Sequence, residues 1–590
     1  MTAREVRRRR ARRAQRDERL VGAASFRVRR GVLISFLGLF LVAVVASAFH
    51  RQVIDTEYLQ DQGNRRYLRD ALIPARRGMI LDRHGEPLAV STPVATVWAD
   101  PSKLVERPEL VAELAKALKT DGSALQKRLE ERKGRSFYYV KRRVGPEETE
   151  AIEALIARHG SHEIGIETEY RRFYPSGEVF GHLVGFTNID DRGIEGMELA
   201  FDSWLAAQPG LRRVIQDGRR RVVQEVERLQ PPRHGRDLTL SLDRRLQFLA
   251  YRELLRAMRE HKAQGATAVV LDATTGEVLA MVNQPAYNPN GALEGSGSTR
   301  RNRALTDVFE PGSTVKPLVV AAALEAKLVT PTTPIETSPG TLQVAKNQVR
   351  DVRNYGRLDT TGVITKSSNI GVVKLAQRMD RAVLWRLYDG VGFGRSTGSG
   401  FPGEVNGRLR DFRRWSTFEH ATHAFGYGLS TTSLQLAQSY GVLAADGIRR
   451  PVSLLRLDGP PPEGERVLSA ATAKAVRAMM ETVVSAKGTA REAAVEGYRV
   501  GGKTGTAKKA VAGGYSSKRY QAVFAGVAPI TQPRFVMVVM VDEPGGKDYY
   551  GGKVAAPVFA RVMQGALRLY NVAPDDPAGT LLLAGVEAPR

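Results

Sequence analysis

A chain of 590 residues exceeds what a single hydrophobic core supports, so two or more domains are expected. Its composition, 42% hydrophobic and 26% charged, excludes a disordered chain. The absence of cysteine excludes disulfides, thiolate zinc sites and a thiol nucleophile, while the net charge of +25 admits either nucleic acid or a membrane surface as partner.

The distribution of that charge separates the two partners. Residues 1–30 hold twelve arginines and three acids, and "RRRRARRAQR" (7–16) taken alone suits a nucleic-acid arm. It is followed by Gly31–Phe49, nineteen residues without a charge and about the length of a bilayer crossing. The pairing predicts a transmembrane helix over 31–49, with residues 1–30 as its cytoplasmic flank, no nucleic-acid role, and the rest of the chain exported. Ala46-Ser47-Ala48 has the small residues of a signal-peptidase site. The apolar run is longer than a usual signal core, which favours an uncleaved anchor. No second stretch approaches spanning length, "FVMVVMV" (535–541) being strand-sized.

Residues 50–236 read as an elongated α+β pedestal that positions something else. "MILDRHGEPLAV" (79–90) has the pattern strand, glycine turn, strand. "PELVAELAKALK" (108–119) and "PEETEAIEALIARH" (146–159) carry apolar residues at helical spacing with acids in the first turn. From residue 237 to 575 the texture changes. A strand and an amphipathic helix (238–263) precede two apolar strands around "ATTGE", within 266–282. Helices fill the middle, and further strands lie at 522–530 and 534–544. Strands at both ends of a segment with a helical middle predict one antiparallel sheet covered by helices. Residues 576–590 are expected to form a short tail.

"FEPGSTVKPL" (309–318) holds Ser313 with Lys316 three residues on, so on a helix the two side chains share a face. Histidine, the usual partner of a serine nucleophile, is absent between His261 and His420. A helix N-terminus would give Ser313 a positive dipole end and a free N–H for an oxyanion, and Pro317 fits a first turn. Lysine serves as a base only when neutral, which desolvation or a second cation promotes. On the tetrapeptide alone, a capping serine with a solvated lysine is the favoured reading. Two further patterns, each unique in the chain, shift that balance: Ser367-Ser368-Asn369, and Lys503-Thr504-Gly505-Thr506 placed where strand-like residues give way to a turn. In this order S-x-x-K, S-x-N and K-T-G form the motif set of serine β-lactamases and penicillin-binding proteins.

Longer segments extend the likeness: "RRGMILDRHGEPLAVS", "FYPSGEVFGHLVGFTNIDDRGIEGMELAFD", "RNRALTDVFEPGSTVKP", "AFGYGLSTTSLQLAQSYGVLAADGI" and "YYGGKVAAPVF". From the anchor to about residue 575 the chain resembles the division-specific class B penicillin-binding proteins, the FtsI family of peptidoglycan D,D-transpeptidases. No glycosyltransferase-like segment precedes the transpeptidase, which disfavours the bifunctional class A type. The resemblance implies an inner-membrane protein with a periplasmic catalytic domain of serine β-lactamase-like fold. It acts on peptidoglycan stem peptides beside division-complex membrane proteins, including a lipid II-polymerising glycosyltransferase.

The resemblance also implies roles. Ser313 would attack the penultimate D-Ala carbonyl of a stem peptide and Lys316 would take its proton. Ser367 would help pass that proton to the leaving amine, with Lys503 as the neighbouring cation and Asn369 binding the donor amide. Thr504 and Thr506, flanking Gly505, would hold the substrate carboxylate, and the N–H groups of Ser313 and Thr506 would form the oxyanion hole. β-Lactams would acylate Ser313 in the same way. Tyr520, Tyr549 and Tyr550 could wall the pocket, although aromatic residues near a sheet edge often serve packing. Arg77-Gly78, Arg172, Gly196 and Glu198 would belong to a pedestal, used for dimerisation or partner binding, where local salt bridges and turns explain them equally well. No cofactor is implied. "HATH" (420–423) is a close histidine pair that lacks the HExxH glutamate, so metal catalysis is not expected. The alternatives are an elongation-specific relative with the same chemistry, a non-catalytic division scaffold or β-lactam sensor, and, more remotely, a β-lactamase, for which no deacylating glutamate motif stands out.

Overall fold

A computed structural model describes residues 3–58, 68–216, 222–291, 297–511 and 514–576, so all but the first residue of the expected tail 576–590 lies outside the described residues. The chain forms two compact units, one made of residues 1–73 and 209–232, the other of 74–208 and 233–590.

In the first unit a helix runs over Ala3–Phe49 and continues as a π-helical turn, His50–Ile54. Residues 27–54 form the one helix among the described residues that is long and apolar enough to cross a membrane, and none of that stretch is buried in protein. A three-stranded antiparallel sheet completes this unit, with Gly210–Gln216 between Leu68–Ile73 and Val222–Gln230.

The second unit opens with a small sheet around the long strand Pro87–Ala99, which pairs with Ile80–Leu81, Tyr138–Val144 and Ile164–Phe173. The two predicted helices form at Pro108–Ala117 and Pro146–His159. Each begins with proline in its first turn, where no amide donor is needed, and each buries its apolar stripe in one core with Val97, Leu104 and Leu129.

The remainder is built on helix α1 (Arg244–Glu260) and a five-stranded sheet. Its strands are β1 (Gly265–Asp272), β2 (Val278–Gln284), β3 (Gly501–Val511), β4 (Gly514–Ala528) and β5 (Phe535–Asp542), in the order β2-β1-β5-β4-β3 and antiparallel throughout. Every residue of β1, β2 and β5 is buried. Helices cover both faces, α1 and the C-terminal helix Ala556–Leu569 among them, so these strands read as continuous apolar runs instead of alternating. The sheet-and-helix arrangement agrees with the α+β expectation. One local expectation is corrected: Lys503-Thr504-Gly505 does not lie at the end of a strand but inside β3. Gly505 sits mid-strand because the serine turn packs directly on it, and an added Cβ would stand 2.9 Å from Thr314 Cγ2 and 3.0 Å from Pro311 O.

Candidate active site

The serine turn is set by the backbone. Gly312 adopts φ +54° and donates its N–H to Gly426 O at 3.1 Å. Gly312–Val315 then form one 3₁₀ turn, and helix α2 (Lys316–Glu325) starts at the lysine with Pro317 in its first turn. The 3₁₀ turn brings positions three apart into register, which aligns Ser313 with Lys316 more closely than an α-helix would. Thr314 locks the turn, its hydroxyl donating to Pro311 O at 2.7 Å while its own carbonyl accepts from the Tyr440 hydroxyl at 2.7 Å. Ser313 is half-buried, whereas Lys316 is fully buried.

Lys316 Nζ donates to Ser367 O at 2.5 Å, Ser367 Oγ at 3.2 Å and Asn369 Oδ1 at 2.7 Å. These acceptors stand where helix α3 (Asn369–Gln377) begins, with Ser368 as its N-cap. Ser367 is held at φ +59°, a strained conformation for a serine that turns its carbonyl toward the lysine. Asn369 is engaged at both ends, since its Nδ2 donates to Arg350 O at 2.8 Å.

Lys503, also fully buried, reaches from β3 and donates to Thr504 O at 3.0 Å and Thr504 Oγ1 at 3.3 Å. Burial pushes Lys316 down to about 7 against the opposing pull of Asp351. Burial also pushes Lys503 well below the ordinary lysine range, helped by repulsion from Lys316. The repulsion is mutual, so whichever ammonium holds a proton weakens the other's hold.

β3 is an edge strand, which leaves part of its backbone free to pair with an extended peptide. Along it Lys503 and Gly505 are buried while Thr504 and Thr506 are partly exposed. The threonine hydroxyls are already oriented, Thr504 Oγ1 lying 3.0 Å from Thr489 Oγ1, and Thr506 Oγ1 accepting from Gly551 N–H at 3.1 Å. Adding a methyl to the glycine between them tests the packing: Gly505→Ala lowers the rate of Ser313 acylation by about tenfold to a hundredfold, read by fluorescent-penicillin labelling, because the serine turn must shift.

The three tyrosines come together as one column. Tyr520 and Tyr549 stack at 4.3 Å, and Tyr549 and Tyr550 at 4.5 Å. Tyr550 caps the short helix whose Gly551 meets Thr506. Arg77, Arg172 and Glu198 also converge, but inside the protein. Glu198, with no exposure, accepts from Arg77 Nε at 2.8 Å and Arg172 Nε at 2.6 Å, and Arg77 reaches Asp202 at 2.7 Å. Gly196 (φ +65°) and Gly78 lie beside them, where a Cβ would collide with Leu183 O at 2.6 Å and Arg236 O at 2.0 Å respectively.

Two features escape the motifs. Asp351 binds the start of α3, and its short polar loop carries no local signal. Glu310, three residues before Ser313, accepts from Gly428 N–H at 2.8 Å and the Tyr515 hydroxyl at 3.0 Å, and burial raises its pKa. His420 and His423 pack beside Trp415, at 6.0 and 4.1 Å, and burial lowers both, His420 to about 4.

Two family models match this chain. One is the penicillin binding protein transpeptidase domain, over residues 266–564. The other is the penicillin-binding protein dimerisation domain, over residues 72–240. The chain belongs to the penicillin-binding protein transpeptidase family, in agreement with the resemblance carried by its motifs. Its curated relatives include the peptidoglycan D,D-transpeptidase FtsI of Escherichia coli, 44% identical over 89% of each chain. A second is the probable peptidoglycan D,D-transpeptidase PenA of Neisseria meningitidis, 39% identical over 95% of each. Among solved structures, the transpeptidase domain of penicillin-binding protein 3 from Burkholderia pseudomallei covers 57% of this chain and 98% of its own, at 44% identity and TM-score 0.53. Penicillin-binding protein 3 of Mycobacterium tuberculosis, complexed with aztreonam, covers 86% and 99% at 28% identity and TM-score 0.66.

Proposed function

We propose that this protein is a membrane-anchored peptidoglycan D,D-transpeptidase of the division septum, working through an acyl-Ser313 intermediate. The observation that carries the reading is the buried Lys316 amine, held by Ser367 and Asn369 behind a half-exposed serine. In this reading Ser313 Oγ attacks the carbonyl of the penultimate D-Ala while its proton passes to Lys316. The C–N bond breaks, Ser367 relays a proton to the departing D-Ala amine, and the acyl group remains as an ester. An amine of a second stem peptide then attacks the ester, forms the cross-linking amide, and returns a proton to Ser313. The N–H groups of Ser313 and Thr506 receive the oxyanion, Thr504 and Thr506 bind the carboxylate, Asn369 binds the donor amide, and the tyrosine column walls the pocket. Asn369 must then exchange one of its present hydrogen bonds for the substrate's.

The same reading assigns residues 1–30 to the cytoplasm, 31–49 to the inner membrane, 50–236 to the periplasmic pedestal, 237–575 to the transpeptidase domain and 576–590 to a tail. Arg77, Arg172 and Glu198, with Gly78 and Gly196, hold the pedestal to which division partners, including a glycosyltransferase, bind. The peptidoglycan D,D-transpeptidase names of relatives matching most of the chain support the substrate, and the septal setting rests on the likeness to FtsI.

The test is intact-mass detection of a penicilloyl adduct on the full-length protein in detergent, mapped to Ser313 and absent from Ser313→Ala. No adduct on the wild type, or an adduct that survives in the variant, overturns the assignment. Depletion in cells tests the setting, with filaments expected and rounded cells pointing to lateral-wall growth instead. The pH dependence follows from Lys316 being the base. Because its pKa is depressed to about 7, it is neutral above that pH and protonated below it. The acylation rate is therefore flat above pH 7 and falls toward about tenfold per unit further into acid.

A further inference from the structure

Asp351 belongs to none of the three motifs, yet it touches one of them at two points and the residue that follows it at a third. It follows a two-stranded hairpin, Thr341–Val344 with Asn347–Arg350, and is only partly exposed. Its Oδ2 accepts from the Ser368 hydroxyl at 2.6 Å, and its Oδ1 accepts from Asn369 N–H at 2.5 Å and Ile370 N–H at 3.1 Å. Ser368 Oγ in turn accepts from Gly371 N–H at 2.9 Å, so the N-cap serine is itself oriented by the carboxylate. The neighbouring Arg350 O takes Asn369 Nδ2. A negative charge is thus supplied to the first turn of α3 from a separate segment, where the helix dipole favours it. It sits one residue beyond the groups that hold Lys316 Nζ.

We propose that Asp351 is a positioning residue of this active site: its carboxylate clamps Ser368 and Asn369, and through them Ser367, against Lys316, and it places a negative charge behind the groups that hold the Lys316 amine. The inference rests on the reading of Lys316 as the base. The clamp explains how Ser367 stays in a left-handed conformation, since Asp351 pins the two residues that follow it. The charge role follows from position: Asn369 accepts from Lys316 Nζ with its Oδ1 and donates its own N–H to Asp351 Oδ1, and from there the carboxylate opposes the effect of burial on Lys316. The other groups facing Lys316 are Ser313 on its own turn, Ser367 and Asn369 from the start of α3, and Lys503 from β3, whose charge acts in the opposite sense. Around Asp351 itself stand Arg350, Arg353 and Tyr355 on its own segment. Tyr355 is raised by burial first and then by Asp351.

Clamp and charge separate in the pH profile of Ser313 acylation by benzylpenicillin, measured on the full-length protein in detergent. Asp351→Asn retains a carbonyl oxygen for the two N–H groups but removes the charge, and its acid limb moves to lower pH by about one unit. Ser368→Ala removes one anchor while leaving the charge, and it lowers the rate at every pH by about tenfold without moving the limb. Asp351→Ala loses both functions, with a lower plateau and a shifted limb. An acid limb that stays at its wild-type position in both Asp351 variants overturns the charge role, and a plateau unchanged in Asp351→Ala and Ser368→Ala overturns the clamp. A wild-type profile with no acid limb overturns the lysine-base reading and the charge role together. If Asp351→Asn does not fold, Asp351→Glu, which keeps the charge and displaces it, decides: the limb stays near wild type while the plateau falls, and the reverse pattern overturns the proposal.

Discussion

Lys316→Ala lowers the second-order rate of Ser313 acylation by about 10³-fold, the range set by removing a positioned base. Ser313 lies on a turn whose backbone is held by Gly426, Pro311 and Tyr440, so its position survives the substitution. What disappears is the buried amine that receives the proton. Lys316→Arg is the sharper control: it keeps the positive charge and supplies more donors, but guanidinium does not deprotonate in a protein. If the lysine acts only as a cation, the arginine variant retains much of the rate; if it acts as a base, both variants are equally slow. Labelling with a fluorescent penicillin across pH 5 to 9 reads the difference. Alanine also leaves Ser367 O and Asn369 Oδ1 without their shared donor, a stability loss of about 1–3 kcal/mol. A thermal midpoint measured alongside separates that loss from the rate effect.

The largest loss of stability is expected at Glu198. Its carboxylate is fully buried between Arg77 and Arg172, which are themselves almost wholly buried. Glu198→Ala removes the shared anion and leaves two desolvated guanidinium groups, with the Asp202 carboxylate still bonded to Arg77 and the Asp191 carboxyl near both arginines. Breaking a buried ion pair from one side costs about 3–5 kcal/mol, well above replacing a pair by apolar groups of equal volume. The expected result is a drop of several degrees in the thermal midpoint of the full-length protein, larger than for Glu198→Gln, which retains volume and one acceptor. Equal midpoints for Glu198→Ala and wild type would show that the cluster is not an electrostatic keystone. An exposed pair such as Lys119–Glu147 serves as the contrast, since its removal is worth less than about 1 kcal/mol.

Local chemistry was legible in the sequence wherever it depends on neighbours along the chain. Apolar spacing places helices at 108–119 and 146–159, which form as Pro108–Ala117 and Pro146–His159, and the strand-sized apolar run 535–541 forms the buried strand Phe535–Asp542. The S-x-x-K spacing already puts serine and lysine on one side of a turn. The positions of Ser367, Asn369 and Lys503 beside them follow from topology. β3 arrives at the sheet edge only after β4 and β5 build the sheet between it and β1, and no periodicity encodes that order. Gly505 read as part of a turn because glycine usually marks one, whereas here it admits the serine turn against the strand. Asp351 was invisible for a related reason: it caps a helix from outside that helix, and capping patterns register only when cap and helix are contiguous.

By itself the sequence determined which groups are present for acyl transfer, a serine with a lysine three residues on, and an apolar segment long enough to cross a bilayer. Tertiary structure decided what those groups become. A lysine in water stays protonated and is no base. Only burial, with Ser367 and Asn369 on one side, Lys503 on another and Asp351 opposing, brings its proton affinity to the range where it can give and take a proton near neutral pH.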